Sequence, residues 1–168
     1  SQTIVGHIGR LTEQKNHPFL LRAFKIFKSE IDSNAILLLF GKGDDELRLE
    51  SLSLELGISD SVLFMGTTSN VADWYSVFDL FVLPSLYEGL PVSAIEAQAN
   101  GVPTLLSCAI TKQVAFNKNA MYCSIDSPCV WAKEMSRCLK AGRVNCPDVP
   151  IEFDIQAQAM RLEEMYAK

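Results

Sequence analysis

The chain has 168 residues, 48% of them hydrophobic and 21% charged, with a formal net charge of -5. That length suits one domain with a real core, and the composition is that of a globular protein slightly rich in apolar residues. The acidic balance and the lack of a long basic run argue against nucleic acid as a partner, and the longest apolar strand run, "AILLLF" at 35–40, is far too short to span a bilayer.

The chain opens on "SQTIVGHIG", with no initiator Met and no signal-peptide pattern, and reads as a segment that begins directly on a strand over 3–9. Asn16 is placed to cap the next helix, with Pro18 tolerated in its first turn. Leu20, Phe24, Phe27 and Ile31 then recur at helical spacing. "AILLLF" is a continuous apolar run ending at Gly41, as a strand buried on both faces would be. A second helix is expected over 45–56, with Leu49, Leu52 and Leu56 inward and Gly57 as its stop. "SVLFM" (61–65) reads as a third strand. "NVADWYSVF" reads as a short helix capped by Asn70, with Trp74 and Phe78 on one side.

"LFVLP" (80–84) is a fourth strand, and a helix is predicted over 91–100 with Val92, Ile95 and Ala99 facing inward. "PTLLS" (103–107) and "AMYCSI" (120–125) supply strands five and six. "SPCVWAKEMSRCLKAG" has a Ser-Pro start and a stop at Gly142. After a Pro-bearing loop, a last helix from about 154 carries Ile155, Ala159, Leu162 and Tyr166 as its stripe. Strands alternating with helices across short loops predict an α/β fold, a Rossmann-like doubly wound parallel sheet of six strands with flanking helices. The five cysteines, Cys108, Cys123, Cys129, Cys138 and Cys146, include no Cys-x-x-Cys and point to reduced thiols rather than a disulfide frame or zinc site.

In such sheets ligands bind outside the carboxyl ends of the strands, which directs attention to the loops there. "GRLTEQKN" (9–16) puts Arg10 and Lys15 between a strand and a helix N-terminus. They are either solvated basic side chains or the seat of an anion. "GKGDDE" (41–46) offers glycines for close backbone approach and the charge of Lys42, but neither the dinucleotide fingerprint nor a Walker-A loop. "MGTTSN" (65–70) is either ordinary turn chemistry or a backbone edge that meets a flat base. "EGLPVSAIEAQANGVP" (88–103) puts Glu88 just ahead of a helix and Glu96 within it. Glu88 is either a cap stabilised by the helix dipole or a ligand group. Glu96 is either solvated or aimed at a pair of hydroxyls, which a carboxylate can accept together.

Taken in order, "GHIGRLTEQKN", "LLLFGKGDDELRLE", "VLFMGTTSNVADWYSVFDLFVLPSLYEGLPVSAIEAQANGVP" and the terminal "MRLEEMY" resemble the donor-binding half of GT-B glycosyltransferases, the retaining type often called family four, with a flavour of bacterial capsule and exopolysaccharide enzymes. The resemblance implies one half of a GT-B architecture over 1–168, with the amino-terminal acceptor half absent. It implies a nucleotide-sugar donor, UDP-linked, bound by Gly9, Gly41, Lys42, the Met65–Gly66–Thr67 backbone against the base, Gly89, Leu90 and Pro91 around phosphate and sugar, and Glu96 on the ribose. Arg10 and Lys15 would bind the diphosphate and Glu88 the transferred sugar. No Asp-x-Asp motif is present, so no essential metal and no cofactor is expected. The implied partner is a sugar or lipid-linked glycan acceptor, reached through the other half. The implied place is the cytoplasm, at the inner face of the membrane, with no transmembrane segment and peripheral association only. This segment alone would bind donor and not turn over. One departure is local: "SCAITKQVAF", after the fifth strand, has neither glycine of the family pattern, and Gln113 stands near its usual Glu. A non-catalytic nucleotide-sugar module and half of a nucleotide-sugar epimerase are the alternative readings.

Overall fold

The computed structural model describes residues 2–145 and 147–166. Six parallel strands form one sheet: β1 (Ile4–Ile8), β2 (Ile36–Phe40), β3 (Val62–Gly66), β4 (Leu80–Leu83), β5 (Thr104–Ser107) and β6 (Ala120–Cys123), in the order β3-β2-β1-β4-β5-β6. The connecting helices are α1 (His17–Glu30), α2 (Glu46–Glu55), α3 (Val71–Val77), α4 (Val92–Ala99) and α5 (Pro128–Ala141), and α6 (Ile155–Tyr166) follows. The chain builds outward from β1 through β2 to β3, then returns to pair β4 with the other side of β1, where Val5 stands opposite Leu80. The strand order therefore reverses between β1 and β4, the crevice where open α/β sheets bind ligands.

The apolar runs split cleanly between the two faces, because side chains alternate along a strand. Leu37 and Leu39 of β2, with Val5, Leu80, Val82 and Leu105, join Leu20, Leu21, Phe24 and Phe27 of α1 and Trp131 and Met135 of α5. Leu38, Phe40, Phe81, Leu83 and Leu106 face the other way, against Tyr75 of α3, the adjoining Phe78, and Ala94 and Ala97 of α4. Both faces of β2 are thus buried, as its unbroken run requires. Trp74 and Phe78 both lie against Phe40, with ring centroids 4.9 and 6.0 Å away.

Several local expectations give way to tertiary contacts. Asn16 precedes α1, but in a left-handed conformation (φ 55°), and its side chain caps nothing there. Its Nδ2 instead donates to the Pro84 carbonyl at 3.3 Å, tying the loop after β1 to the end of β4. Asn70 likewise precedes α3 without a side-chain cap bond. Helix α1 ends at Glu30, which leaves Ile31 exposed. The inward face of α4 is Ala94, Ala97 and Gln98, while Val92 is exposed and Ile95 half-buried. The physical reason is closeness: small side chains let α4 press on β4 and β5, and the bulky residues turn outward. In α6 none of Ile155, Ala159, Leu162 and Tyr166 is buried. Cys108, Cys123, Cys129 and Cys138 are free thiols, and Cys146 lies outside the described residues. No helix among the described residues is long and apolar enough to cross a membrane.

Gly6 is fixed by packing. It sits in mid-β1, and a Cβ there would overlap the Phe78 ring that closes this face of the sheet. Replacing Gly6 by Ala is expected to lower stability by about 1–3 kcal/mol through overpacking. Urea unfolding of the two proteins checks this, with a reduced midpoint at unchanged slope as the expected outcome.

Candidate functional site

The carboxyl ends of β1, β2, β3 and β4 are laced together by backbone bonds. The Gly9 amide donates to the Phe40 carbonyl at 3.0 Å and the Leu11 amide to the Lys42 carbonyl at 3.1 Å. The Gly41 amide reaches the Gly66 carbonyl at 2.7 Å. Gly41 adopts φ +132°, and a Cβ there would collide with the Gly9 carbonyl, so a side chain at 41 would push the loops after β1 and β2 apart. On the other side, the Leu86 amide donates to the Gln14 carbonyl at 2.8 Å and Gln14 Nε2 to the Tyr87 carbonyl at 2.9 Å.

This lacing leaves two hollows that share Ile8 and Gly9. One is bounded by backbone and apolar groups of Phe40, Gly41, Gly66, Thr67 and Val71. The other is polar, with Arg10, Gln14, Lys15, Glu88, Pro91 and Ser93 on its walls, and Leu90 beside them. Among the residues singled out in the sequence, Gly9, Arg10, Lys15, Gly41, Gly66, Thr67, Glu88, Leu90 and Pro91 therefore converge. Lys42 is exposed and lines neither hollow, with the end of its stem near Gly66. Met65 packs on the core beneath β3, and Gly89 is exposed on the rim. Glu96 is exposed one helical turn beyond Ser93 and lines neither hollow. Another hollow, between Lys25, Lys28, Leu56 and Gly57, lies at the opposite end of the sheet, where Lys28 is already bonded to the Ser33 and Ala35 carbonyls.

Glu88 is not a helix cap. Pro91 occupies the position before α4, and residue 88 forms an isolated parallel bridge with Ile110. Its carboxylate turns instead toward the loop after β1. There it ion-pairs with Lys15 and accepts from Ser85 Oγ at 2.7 Å and Gln14 Nε2 at 3.3 Å. The Lys15 and Glu88 side chains keep only 15% and 8% of their surface exposed. Arg10, by contrast, is exposed and makes no ion pair among the described residues.

A family description, glycosyl transferases group 1, matches residues 1–141. The chain belongs to this family. It is 39% identical over 142 residues to the putative glycosyltransferase EpsF of Bacillus subtilis, covering 83% of this chain and 37% of EpsF. The lipopolysaccharide core biosynthesis mannosyltransferase LpsB of Rhizobium meliloti is 32% identical over 109 residues, which is 62% of this chain and 31% of LpsB. The glycosyltransferase sequence thus spans about a third of the length of these curated relatives. Anabaena HepE, solved with UDP and glucose, superposes with a TM-score of 0.74 at 20% identity over 83% of this chain and 39% of HepE. S. aureus TarM, solved in a complex that includes UDP, superposes at 0.77 with 22% identity over 83% and 29%. At these identities the structural likeness establishes the fold.

Three residues around these hollows carried no clear signal in the sequence. Gln98, fully buried on α4, donates from Nε2 to the Ala94 and Val114 carbonyls, and its Oε1 accepts from the Phe116 and Asn117 amides at 3.0 and 3.2 Å. It pins the loop after β5 without the glycines of the family pattern. The other two are His7 on β1 and His17 on α1, both buried beneath the Gly9–Lys15 loop, with ring centroids 4.5 Å apart. His7 Nδ1 lies 2.9 Å from the Val82 carbonyl and so carries its proton there, while His7 Nε2 and both His17 nitrogens have no hydrogen-bond partner among the described residues. Burial holds the His7 imidazole well below the ordinary range, with the His17 and Lys15 charges adding to the shift. Burial lowers His17 to about 4, partly opposed by Asp45. Both rings are therefore neutral at pH 7.

A depressed folded-state pKa means the unfolded chain binds the proton first as pH falls. Stability should therefore be fully present above pH 6.5 and decline toward pH 4. His17 accounts for on the order of 3 kcal/mol of that decline. Replacing His17 by Phe should flatten the dependence between pH 6.5 and 4, as measured by urea unfolding at several pH values; an unaltered slope would rule out His17 as its source.

Proposed function

We propose that this chain is the donor-binding part of a retaining glycosyltransferase. In the complete protein it would take a UDP-linked sugar and pass it to a sugar or lipid-linked glycan acceptor in polysaccharide assembly, at the cytoplasmic face of a membrane. The observation that carries the reading is the groove at the strand-order reversal, backbone-lined at one end and charged at the other. UDP and UDP-glucose are ligands of the solved HepE and UDP of the solved TarM, which supports a uridine nucleotide here.

In this reading the base lies against the Gly66–Thr67 backbone in the first hollow, with Met65 behind it and Lys42 nearby. The ribose reaches Glu96. The diphosphate crosses Gly9 to Arg10 and Lys15, at the positive end of α1. Departure of the nucleotide concentrates negative charge on the phosphate, and preorganised cations in a partly dry site stabilise that charge. Lys15 has three donor hydrogens, so it can hold Glu88 and a phosphate oxygen together. The Glu88 carboxylate, paired with Lys15, faces the transferred sugar over Gly89, Leu90 and Pro91. The reading requires no metal and no cofactor, because the side-chain cations take the role of a Lewis acid. In this reading the donor-binding part alone does not turn over, because the acceptor is bound by the other half of a GT-B architecture.

Calorimetric titration of the chain tests this. UDP and a UDP-sugar are expected to bind and NAD is not. Arg10→Ala and Glu96→Ala are each expected to weaken UDP by roughly tenfold or more, each removing a charged hydrogen-bond partner. A folded chain that binds no uridine nucleotide, or an Arg10→Ala variant of unchanged affinity, would defeat the proposal.

A further inference from the structure

Tyr75 sits on α3, the short helix between β3 and β4, and is 1% exposed. Its ring is fixed edge-on to Phe78 and Phe81, at centroid distances of 5.8 and 6.0 Å. A buried phenol needs a partner for its hydroxyl. This one points out of the core toward α4 and donates to Glu96 Oε2 at 2.9 Å and to the Ser93 carbonyl at 3.0 Å. The phenol has one proton and shares it between these two acceptors. Burial and the neighbouring Glu96 charge both raise its pKa, so it remains a donor throughout the working pH range.

The effect on Glu96 is specific. An exposed glutamate on a helix samples many rotamers and gives up that freedom on gripping a ligand. Here Oε2 is already held, while Oε1 has no partner among the described residues. The tether is rigid as well. Arg143 donates to the Tyr75, Ser76 and Phe78 carbonyls at the end of α3 and to the Asn100 carbonyl at the end of α4. One guanidinium thus locks together the two helices that carry the phenol and the carboxylate.

We infer that Tyr75 is a positioning residue for Glu96, holding one carboxylate oxygen so that the other meets a vicinal diol, and that this contact sets how strongly the site demands ribose hydroxyls. The inference rests on the assignment of Glu96 to the ribose made above. It assigns nucleotide discrimination to a side chain that itself touches no ligand.

The test compares UDP with 2′,3′-dideoxy-UDP by calorimetric titration. The unsubstituted protein should prefer UDP by roughly tenfold or more, the cost of leaving a carboxylate without its donors. Tyr75→Phe keeps the ring and removes only the hydroxyl. It should weaken UDP by roughly three- to tenfold and leave dideoxy-UDP unchanged, so that the preference falls by the same factor. In a Glu96→Ala background the Tyr75→Phe change should have no further effect, because the two act as one unit. If the unsubstituted protein does not distinguish the two nucleotides, the ribose assignment of Glu96 fails and the inference with it. If it does distinguish them and Tyr75→Phe keeps the same ratio, or loses both ligands equally, the inference alone is overturned. Should Tyr75→Phe not fold, Glu96→Asp, at an exposed position, withdraws the carboxylate from the phenol instead. A preserved ratio in that variant would also overturn it.

Discussion

The Lys15 ammonium and the Glu88 carboxylate stand on the two sides of the reversal in strand order, one at the end of the loop after β1 and the other in the loop after β4. Each has given up most of its water. A desolvated pair of this kind adds little net stability over an apolar pair of similar volume, yet removing one member strands the other and costs several kcal/mol. Its main effect is to fix geometry. Ser85 and Gln14 supply the further donors that Glu88 needs once water is excluded. The two loops are consequently positioned by one another, and the groove between them has a defined width before any ligand arrives.

The same principle extends around the carboxyl edge of the sheet. Buried or half-buried polar side chains there are bonded mostly to backbone: Asn16 to Pro84, Gln14 to Tyr87, Gln98 to four backbone groups of α4 and the loop after β5. A polar network is costly when incomplete and specifies geometry when complete. His7 and His17 depart from this, since His7 Nε2 and both His17 nitrogens, under the loop that carries Arg10 and Lys15, have no partner among the described residues. Neutral rings at that place avoid adding like charge to two cations. Against this scaffold, Arg10 and Glu96 are the groups left facing outward.

What the sequence disclosed follows from the range of each interaction. Strands β2 and β4 announce themselves because an unbroken apolar run needs no knowledge of distant residues. Helix α5 does so through Ser127 and Gly142, which act on their own backbone. The convergence of Arg10, Lys15, Gly41, Gly66 and Glu88 was also legible, since strand alternation implies a parallel sheet and a parallel sheet brings those loops to one edge. The partners were not. Glu88 meets a lysine 73 residues away and Glu96 a tyrosine 21 residues away, and nothing local marks either contact. The inward face of α4 was misread for a related reason. Val92 and Ile95 are its most apolar residues, but the distance between α4 and the sheet, a tertiary quantity, selects Ala94 and Ala97 there, and the third buried position goes to Gln98 through its bonds to the loop after β5.

The Arg143 guanidinium also bears on where this unit ends. Sequence similarity to the family stops at residue 141, yet Arg143 is the residue that joins the ends of α3 and α4, and the Val144 amide continues the connection by donating to the Gly101 carbonyl at 2.8 Å. The evolutionary signal thus gives out before the mechanical unit is complete. A segment cut at the similarity limit would retain every strand and lose the fastener between two helices. A boundary for dissecting this protein belongs beyond Val144, where side chains rather than shared letters mark the edge.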